Sequence, residues 1–443
     1  MKMTLLSSKH LSPRGNKTGF LRPVLFLLSF LVFSPSVHPQ SAADVKLSQI
    51  LNSGDLLLLE EQYPLLKDSV EIGMLRWMAE AQLGVGLNRL EEAAVALDSL
   101  LQRYRESLDA QTSLALASLQ AMNLLNLGQY STAGEAGEQL VNALKGSVPF
   151  ESLYSLIFIE RMGKSLADVP PASLSRPAHE VTVPMKVVAA GRGQHLHIPV
   201  QVNGLTSDFI FDTGCSFGNF VTEDYARRAG LTILADSLPV AGATIGYVKV
   251  ATADSLIVGE LTLHHPIFLV APPDPEADSV FSYEGVLGHQ FIRLAGEIVL
   301  DNESHRFVFP TEPSEGTPDM YLSSNVPQVR IEYADTPFDI TFDSGNVKSN
   351  LDSRFSGAFP EAVAGLPEQS TQHGGFGGIV HMVSVTLPEF RFHLSGTPVV
   401  LEQVEVVRNN GGSQFLSGSL GADFALAFKR LSINYKNMFL RGE

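Results

Sequence analysis

The sequence predicts a multidomain α + β protein: helical-hairpin repeats come first, then a duplicated all-β region. Three observations lead there. Residues 44–168 keep apolar residues at three-and-four spacing with few β-branched runs. From Val181 onward, short alternating segments set off by turn residues take over. Those segments then fall into two stretches that repeat one order of motifs. A chain of 443 residues with 44% hydrophobic content also exceeds what one core usually organises, so two or three domains are expected.

Residues 1–40 read as a signal peptide. Lys2, Lys9, Arg14, Lys17 and Arg22 precede the apolar stretch VLFLLSFLVF, Val24 to Phe33, and small or polar residues come next in SPSVHPQSAAD. The apolar stretch is too short to span a bilayer, which takes roughly 20 residues. Ser36, Gln40 and Ala43 each suit the last residue removed, and an uncleaved anchor is the alternative. No cysteine lies nearby to carry a lipid. The formal net charge of −16 becomes about −21 once the five cations are removed, which argues against nucleic acid or anionic lipid as partner. With one cysteine, Cys215, no intramolecular disulfide can form, so an exported chain of this size relies on core packing. That points to a bacterial periplasm, cell envelope or secreted setting. Cys215 itself reads as a small buried residue, since nothing in the sequence offers it a histidine base.

Within residues 44–168, WMAEAQLGVGLNRLEEAAVALDSLL and ALASLQAMNLLNLGQYSTAGEAGEQLV look like two copies of one unit. Each has small residues on a first helix, a Gly or Asn turn, and a second helix around Ala93 or Ala133, at an offset of 40 residues. This resembles tetratricopeptide-type hairpins, although the period is longer than the usual 34 or so. Such hairpins stack because one alone cannot bury its apolar face, and the resemblance implies either a protein-binding surface or packing on the rest of the chain. DVPPASLSRP, residues 168–177, ends the helices, and 169–180 is read as a linker. PTEPSEGTPD, residues 310–319, then divides the rest into 181–311 and 312–443.

The two stretches align motif by motif. VQVNGLTSDFIFDTG runs beside IEYADTPFDITFDSG, with Asp212 and Asp343 separated by 131 residues. GATIGYVKV, from Gly242, stands at the offset of HGGFGGIVH, from His373. GVLGHQFIRLAGEIVLDNESHRFVF, from Gly285, matches GSLGADFALAFKRLSINYKNMFLR, from Gly418. A single Asp-Thr/Ser-Gly is an ordinary turn sequence. Two copies, each after an apolar strand and with Leu-Gly 75 or 77 residues later, are a specific signal.

That constellation resembles the retropepsin-like aspartic peptidases, in a single-chain form whose two lobes stand in for two subunits, over about residues 181–443. The resemblance implies an aspartic endopeptidase acting on a polypeptide substrate, with a monomeric catalytic unit, no cofactor and no metal. Asp212 and Asp343 would form the dyad. Two carboxylates held together at a lobe interface share one proton, because like charges at that range cannot both ionise; one then acts as base on a water while the other polarises the scissile carbonyl. Thr213 and Ser344 would brace the two loops, and Gly214 and Gly345 would permit their close approach. Leu287-Gly288 and Leu420-Gly421 would pack behind them, and Ile210, Phe211 and Phe342 read as core. The segments with Gly242, Gly246 and Tyr247, and with Gly374, Gly375 and Phe376, stand where the family has flaps that close over substrate. His373 and His381, bracketing the second, read as solvated loop residues. The family usually has Ala or Ser after each glycine, whereas this chain has Cys215 and Asn346, and Lys348 would depress the dyad if it pointed inward. The alternatives are a catalytically silent peptide-binding protein using the same cleft, and a helical-repeat scaffold.

Overall fold

The computed structural model describes residues 41–274, 283–409 and 418–443; the segment read as a signal peptide lies outside the described residues. Seven α-helices come first, at Ala42–Ser53, Leu56–Leu66, Gly73–Gly86, Leu90–Arg103, Ala110–Asn126, Tyr130–Leu144 and Tyr154–Ser165. Their starts follow from local chemistry. Ser41 and Asp44 form a reciprocal capping box, and the side chains of Asp55 and Asp109 accept from the amides of Leu58 and Thr112. Small residues set how closely neighbouring helices approach. A Cβ on Gly84 would lie 2.7 Å from the Ala93 nitrogen, and one on Gly163 would lie 2.4 Å from the Gly134 nitrogen. No described helix is long and apolar enough to cross a membrane.

A large β region comes next, in three sheets. Among the described residues, ten strands from the first β-half and one from before it form an eleven-stranded sheet, and eight from the second half form another. The expected linker is not wholly extended connection, because Ser173–Ser175 pairs antiparallel with Leu261–His264 and so joins the first of these sheets. A five-stranded sheet takes strands from both halves: Val181–Pro184, Arg306–Phe309, Glu297–Asp301, Arg430–Asn434 and Phe439–Gly442. Its central pairing, with Val299 opposite Ser432, ties the end of the first half to the end of the second.

The apolar alternation read in the sequence is what these sheets bury. Phe209, Phe211, Phe307, Phe309, Phe342 and Phe424 are all fully buried. One apolar cluster runs without a break from Leu47 and Leu97 in the helices to these phenylalanines. Polar contacts cross the same boundary: Asn88 Nδ2 donates to Tyr435 O at 3.0 Å, the side-chain amides of Asn126 and Asn325 pair at 2.9 and 3.1 Å, and Arg330 bridges Asp55 at 2.9 Å and Asp339 at 2.7 Å. The helices therefore dock on both β-halves. The last of them, Tyr154–Ser165, lies against the first half's hairpin, where Arg161 Nη1 donates to Ser237 O and Phe158 packs edge-on to Phe217 with ring centres 5.4 Å apart.

Candidate active site

Two strands deliver the two aspartates. Leu205–Phe211 and Thr336–Phe342 each carry three buried residues into the interior before ending one residue short of the acid. Each is continued on one side by a short parallel strand, Gly285–Leu287 and Ser419–Leu420 respectively. The amides of Asp212 and Asp343 donate to Leu287 O at 3.1 Å and Leu420 O at 2.9 Å, so the Leu-Gly turns hold the acid loops from behind.

The loops then grip each other. Thr213 N donates to Ser344 Oγ at 3.1 Å and Ser344 N to Thr213 Oγ1 at 3.0 Å. The same hydroxyls donate onward to Phe342 O and Phe211 O, both at 2.9 Å. Both side chains are fully buried, where an unmade hydrogen bond is expensive, so the crossed pairing fixes the two loops tightly. Glycine is required at the next position. A Cβ on Gly214 would stand 2.4 Å from Asp343 Cγ, and one on Gly345 would stand 2.3 Å from Asp212 Cγ.

The carboxyl groups of Asp212 and Asp343 each sit against the other loop's glycine and interact with each other. One Asp212 oxygen accepts from the amides of Gly214 at 2.7 Å and Cys215 at 3.0 Å, and one Asp343 oxygen from Gly345 at 3.1 Å and Asn346 at 3.2 Å. Each acid is partly open to solvent and packed on its other sides. Burial, then the charge of Asp343, holds Asp212 well above the ordinary carboxylate range; burial also raises Asp343, against the hydrogen bonds from Asp212 and the loop amides. The pair thus keeps a proton that isolated carboxylates would have lost, with Asp212 as donor. Burial and then the Asp212 charge push the Cys215 thiol well above its usual range, so it is held as the neutral thiol and is no nucleophile.

Residues 198–291 match the family model described as aspartyl protease. The match spans Asp212, Thr213, Gly214, Leu287 and Gly288, and stops before Asp343. No curated protein matches the chain. Among solved structures, it is similar to a retropepsin-like aspartic protease from Rickettsia conorii, at 17% identity over 31% of this chain and 92% of that one, with a TM-score of 0.21. It is also similar to conglutin gamma, a basic 7S globulin from lupine seeds (10% identity, 59% and 94% covered, TM-score 0.36), and to EDGP (12%, 59% and 94%, TM-score 0.33).

Both expected flap segments are hairpins: Thr232–Ala241 with Ile245–Thr252, inside the matched residues, and Gln369–Gly375 with Gly378–Leu394, outside them. Their tips touch. Ala243 N donates to Phe376 O at 2.8 Å and Thr244 Oγ1 to Gly377 O at 2.5 Å. The Phe376 ring lies edge-on to Phe220 of the first half, 5.1 Å between centres, in a slot that exists because position 246 is glycine, where a Cβ would be 2.7 Å from the ring. Gly242 likewise leaves room for Phe376 O, at 2.3 Å from where its Cβ would be. Gly374 and Gly375 instead line a cavity of about 310 Å³ whose floor is residues 346–350. Tyr247 is half exposed, on the hairpin's outer edge opposite Pro239.

Several side chains at the site gave no signal in the sequence. His373 is not the solvated residue the glycines around it suggest: its Nε2 lies 3.0 Å from Glu405 Oε1. Glu405 also accepts from Thr371 Oγ1 and, at 3.0 Å, from Arg192 of the first half. Burial pushes this acid up, yet the hydrogen bonds from His373 and Thr371 bring it down to about 2. One of two glutamates within the run VVLEQVEVV, it carries no mark of this. His195 Nε2 donates to Gly345 O at 3.1 Å, and burial lowers this histidine to about 4, so the ring is neutral when it does so. Lys348, which the sequence does single out, lines the 310 Å³ cavity, whose lining includes neither Asp212 nor Asp343. Among the described residues no cluster of three or more His, Cys, Asp or Glu side chains could hold a metal ion.

Proposed function

We propose that the chain is an exported aspartic endopeptidase that hydrolyses peptide bonds with water at the Asp212/Asp343 pair. The observation that carries the reading is the pair itself: two carboxyls, each packed against the other loop's glycine, on loops cross-braced by Thr213 and Ser344. The aspartyl protease match over 198–291 supports it for the first half, and the reading takes residues 312–443 as its duplicate.

In this mechanism Asp343, the partner more readily ionised, takes a proton from a water whose oxygen attacks the scissile carbonyl carbon. Asp212 donates its proton to the carbonyl oxygen. Collapse of the tetrahedral species returns that proton to Asp212 and passes the Asp343 proton to the leaving nitrogen. The shared proton is lost as pH rises through the pair's raised range, so activity falls on the alkaline side. The hairpins with Gly242, Gly246, Tyr247, Gly374, Gly375 and Phe376 would close over the peptide, and they are already in contact at their tips.

The test is cleavage of an unfolded protein mixture between pH 4 and 8 by the wild-type chain, Asp212→Asn and Asp343→Asn. Cleavage by the wild type with both variants folded and inert upholds the dyad. A folded wild type that cuts nothing, yet retains peptides in its cleft, would make the chain a peptide-binding protein instead.

A further inference from the structure

The two sides of the cleft differ in chemistry at one matched position. Five residues after Asp212 stands Phe217; five after Asp343 stands Lys348. Phe217 is 8% exposed and sealed by Phe158 of the last helix. Lys348 is partly buried on the wall of the 310 Å³ cavity, and among the described residues its ammonium makes no ion pair. Every other ionisable group on that wall is engaged. Glu405 is held by Arg192 and His373, and Asp274 is not free. The remaining polar lining is neutral: Asn346, Asn350, Gln372 and Gln403, with Gln369 tied to Thr386 at 2.7 Å.

We propose that this cavity is a substrate pocket selective for an acidic side chain, with Lys348 receiving the carboxylate of an Asp or Glu that the peptide presents to the second half. This rests on the peptidase reading and names its substrate class. A carboxylate placed against a cation without a counter-ion forms a charge-assisted hydrogen bond stronger than a neutral one. Glu405 is not that partner here: its oxygens accept from Arg192, Thr371 and His373, and among the described residues it makes no ion pair with Lys348. The cavity is floored by the loop whose Asn346 amide binds Asp343, so the selected residue lies within a few residues of the cut. On the matched side of the first half, Phe217 is sealed by Phe158, and Phe220 packs edge-on to Phe376 of the second half, so that side is apolar.

The test digests a proteome-derived peptide library with the full chain and compares one peptide pair that differs only in Glu or Gln at the enriched position. Wild type should enrich Asp and Glu at one position near the cut and prefer the Glu peptide at least tenfold in kcat/KM, about 1.4 kcal/mol. In Lys348→Met the Glu-to-Gln ratio should fall towards one, and in Lys348→Glu the library should turn towards Lys and Arg. Cutting without acidic enrichment, or with the same enrichment in Lys348→Met, overturns the pocket and leaves the peptidase reading standing. If the folded wild type cuts nothing, the peptidase reading falls. A fluorescently labelled Glu-rich peptide and its all-Gln counterpart then decide the pocket by direct titration: a tenfold Glu preference that Lys348→Met removes upholds it, and equal binding overturns it.

Discussion

His289 sets how far into acid this fold can go. It comes directly after Leu287-Gly288, and its amide donates to Cys215 O at 3.0 Å, so it is part of the backing of the Asp212 loop. Its ring is 2% exposed, packs on Tyr435 with centres 5.9 Å apart, and neither nitrogen has a hydrogen-bond partner among the described residues. Burial, then the charge of Arg293, lowers it to about 3, against 6.5 for a free histidine. The folded pKa lies below the unfolded one, so protonation favours the unfolded chain. The contribution is therefore intact above pH 6.5 and is lost as pH falls from 6.5 towards 3. At pH 5 the loss is about 2 kcal/mol, a figure that hardly moves if the folded value is a unit higher. His289→Leu removes this linkage. The assay is equilibrium urea unfolding at pH 7.5 and 5.0, read by circular dichroism, because the single tryptophan, Trp77, sits in the helices. Every other titrating group is common to both chains and cancels in the difference, including His195 and the dyad. The wild type should lose about 2 kcal/mol more than His289→Leu between the two pH values. Equal losses would mean that the ring is not held neutral, and the argument would fail.

Two further changes probe the dyad loops and one probes the helices. Gly345→Ala puts a methyl 2.3 Å from Asp212 Cγ and should abolish peptide cleavage while the circular dichroism spectrum stays unchanged; retained activity would mean that the loops are looser than their crossed hydrogen bonds imply. Thr213→Val strands the Ser344 amide and the Phe342 carbonyl in a buried site, which should cost roughly 1–3 kcal/mol for each, visible as a lower urea midpoint, with a fall in kcat beyond any change in KM. Phe158→Ala removes the ring that seals Phe217. Amide exchange in the hairpin at residues 232–252 should then rise, while exchange at 369–394, which that helix does not brace, stays the same.

The two braced acid loops were legible because the residues that build each of them are adjacent in sequence, and the pattern occurs twice. An apolar strand, an acid, a hydroxyl and a glycine must be adjacent for the loop to form, and the second copy makes chance unattractive. The strands themselves were legible for the same reason, since one face or both are buried and the alternation records it. What stayed hidden depends on long-range placement. Glu405 is read as one more strand residue until Arg192, 213 positions away, is brought to it. His195 looks like an interior strand residue until the Gly345 carbonyl of the other half arrives. The docking of the helices was equally hidden, because Asn88, Asn126 and Asp55 carry no periodic signal and their partners Tyr435, Asn325 and Arg330 lie far down the chain.

That docking bears on what the helices can be. A segment designed to fall away after one cut would need a boundary that water can re-enter without exposing much apolar surface. Here the apolar cluster crosses the boundary unbroken, and polar contacts reach the first half through Arg161, the second through Asp55, and the shared sheet's last turn through Asn88. Removing the helices would uncover Phe217 five residues from Asp212 and leave Arg330 with one of its two acids. The cost falls on the side of the cleft that is already apolar and closed. No helix residue lines the cavity with Lys348, so on the peptidase reading the peptide enters there while the helices hold the other wall in place.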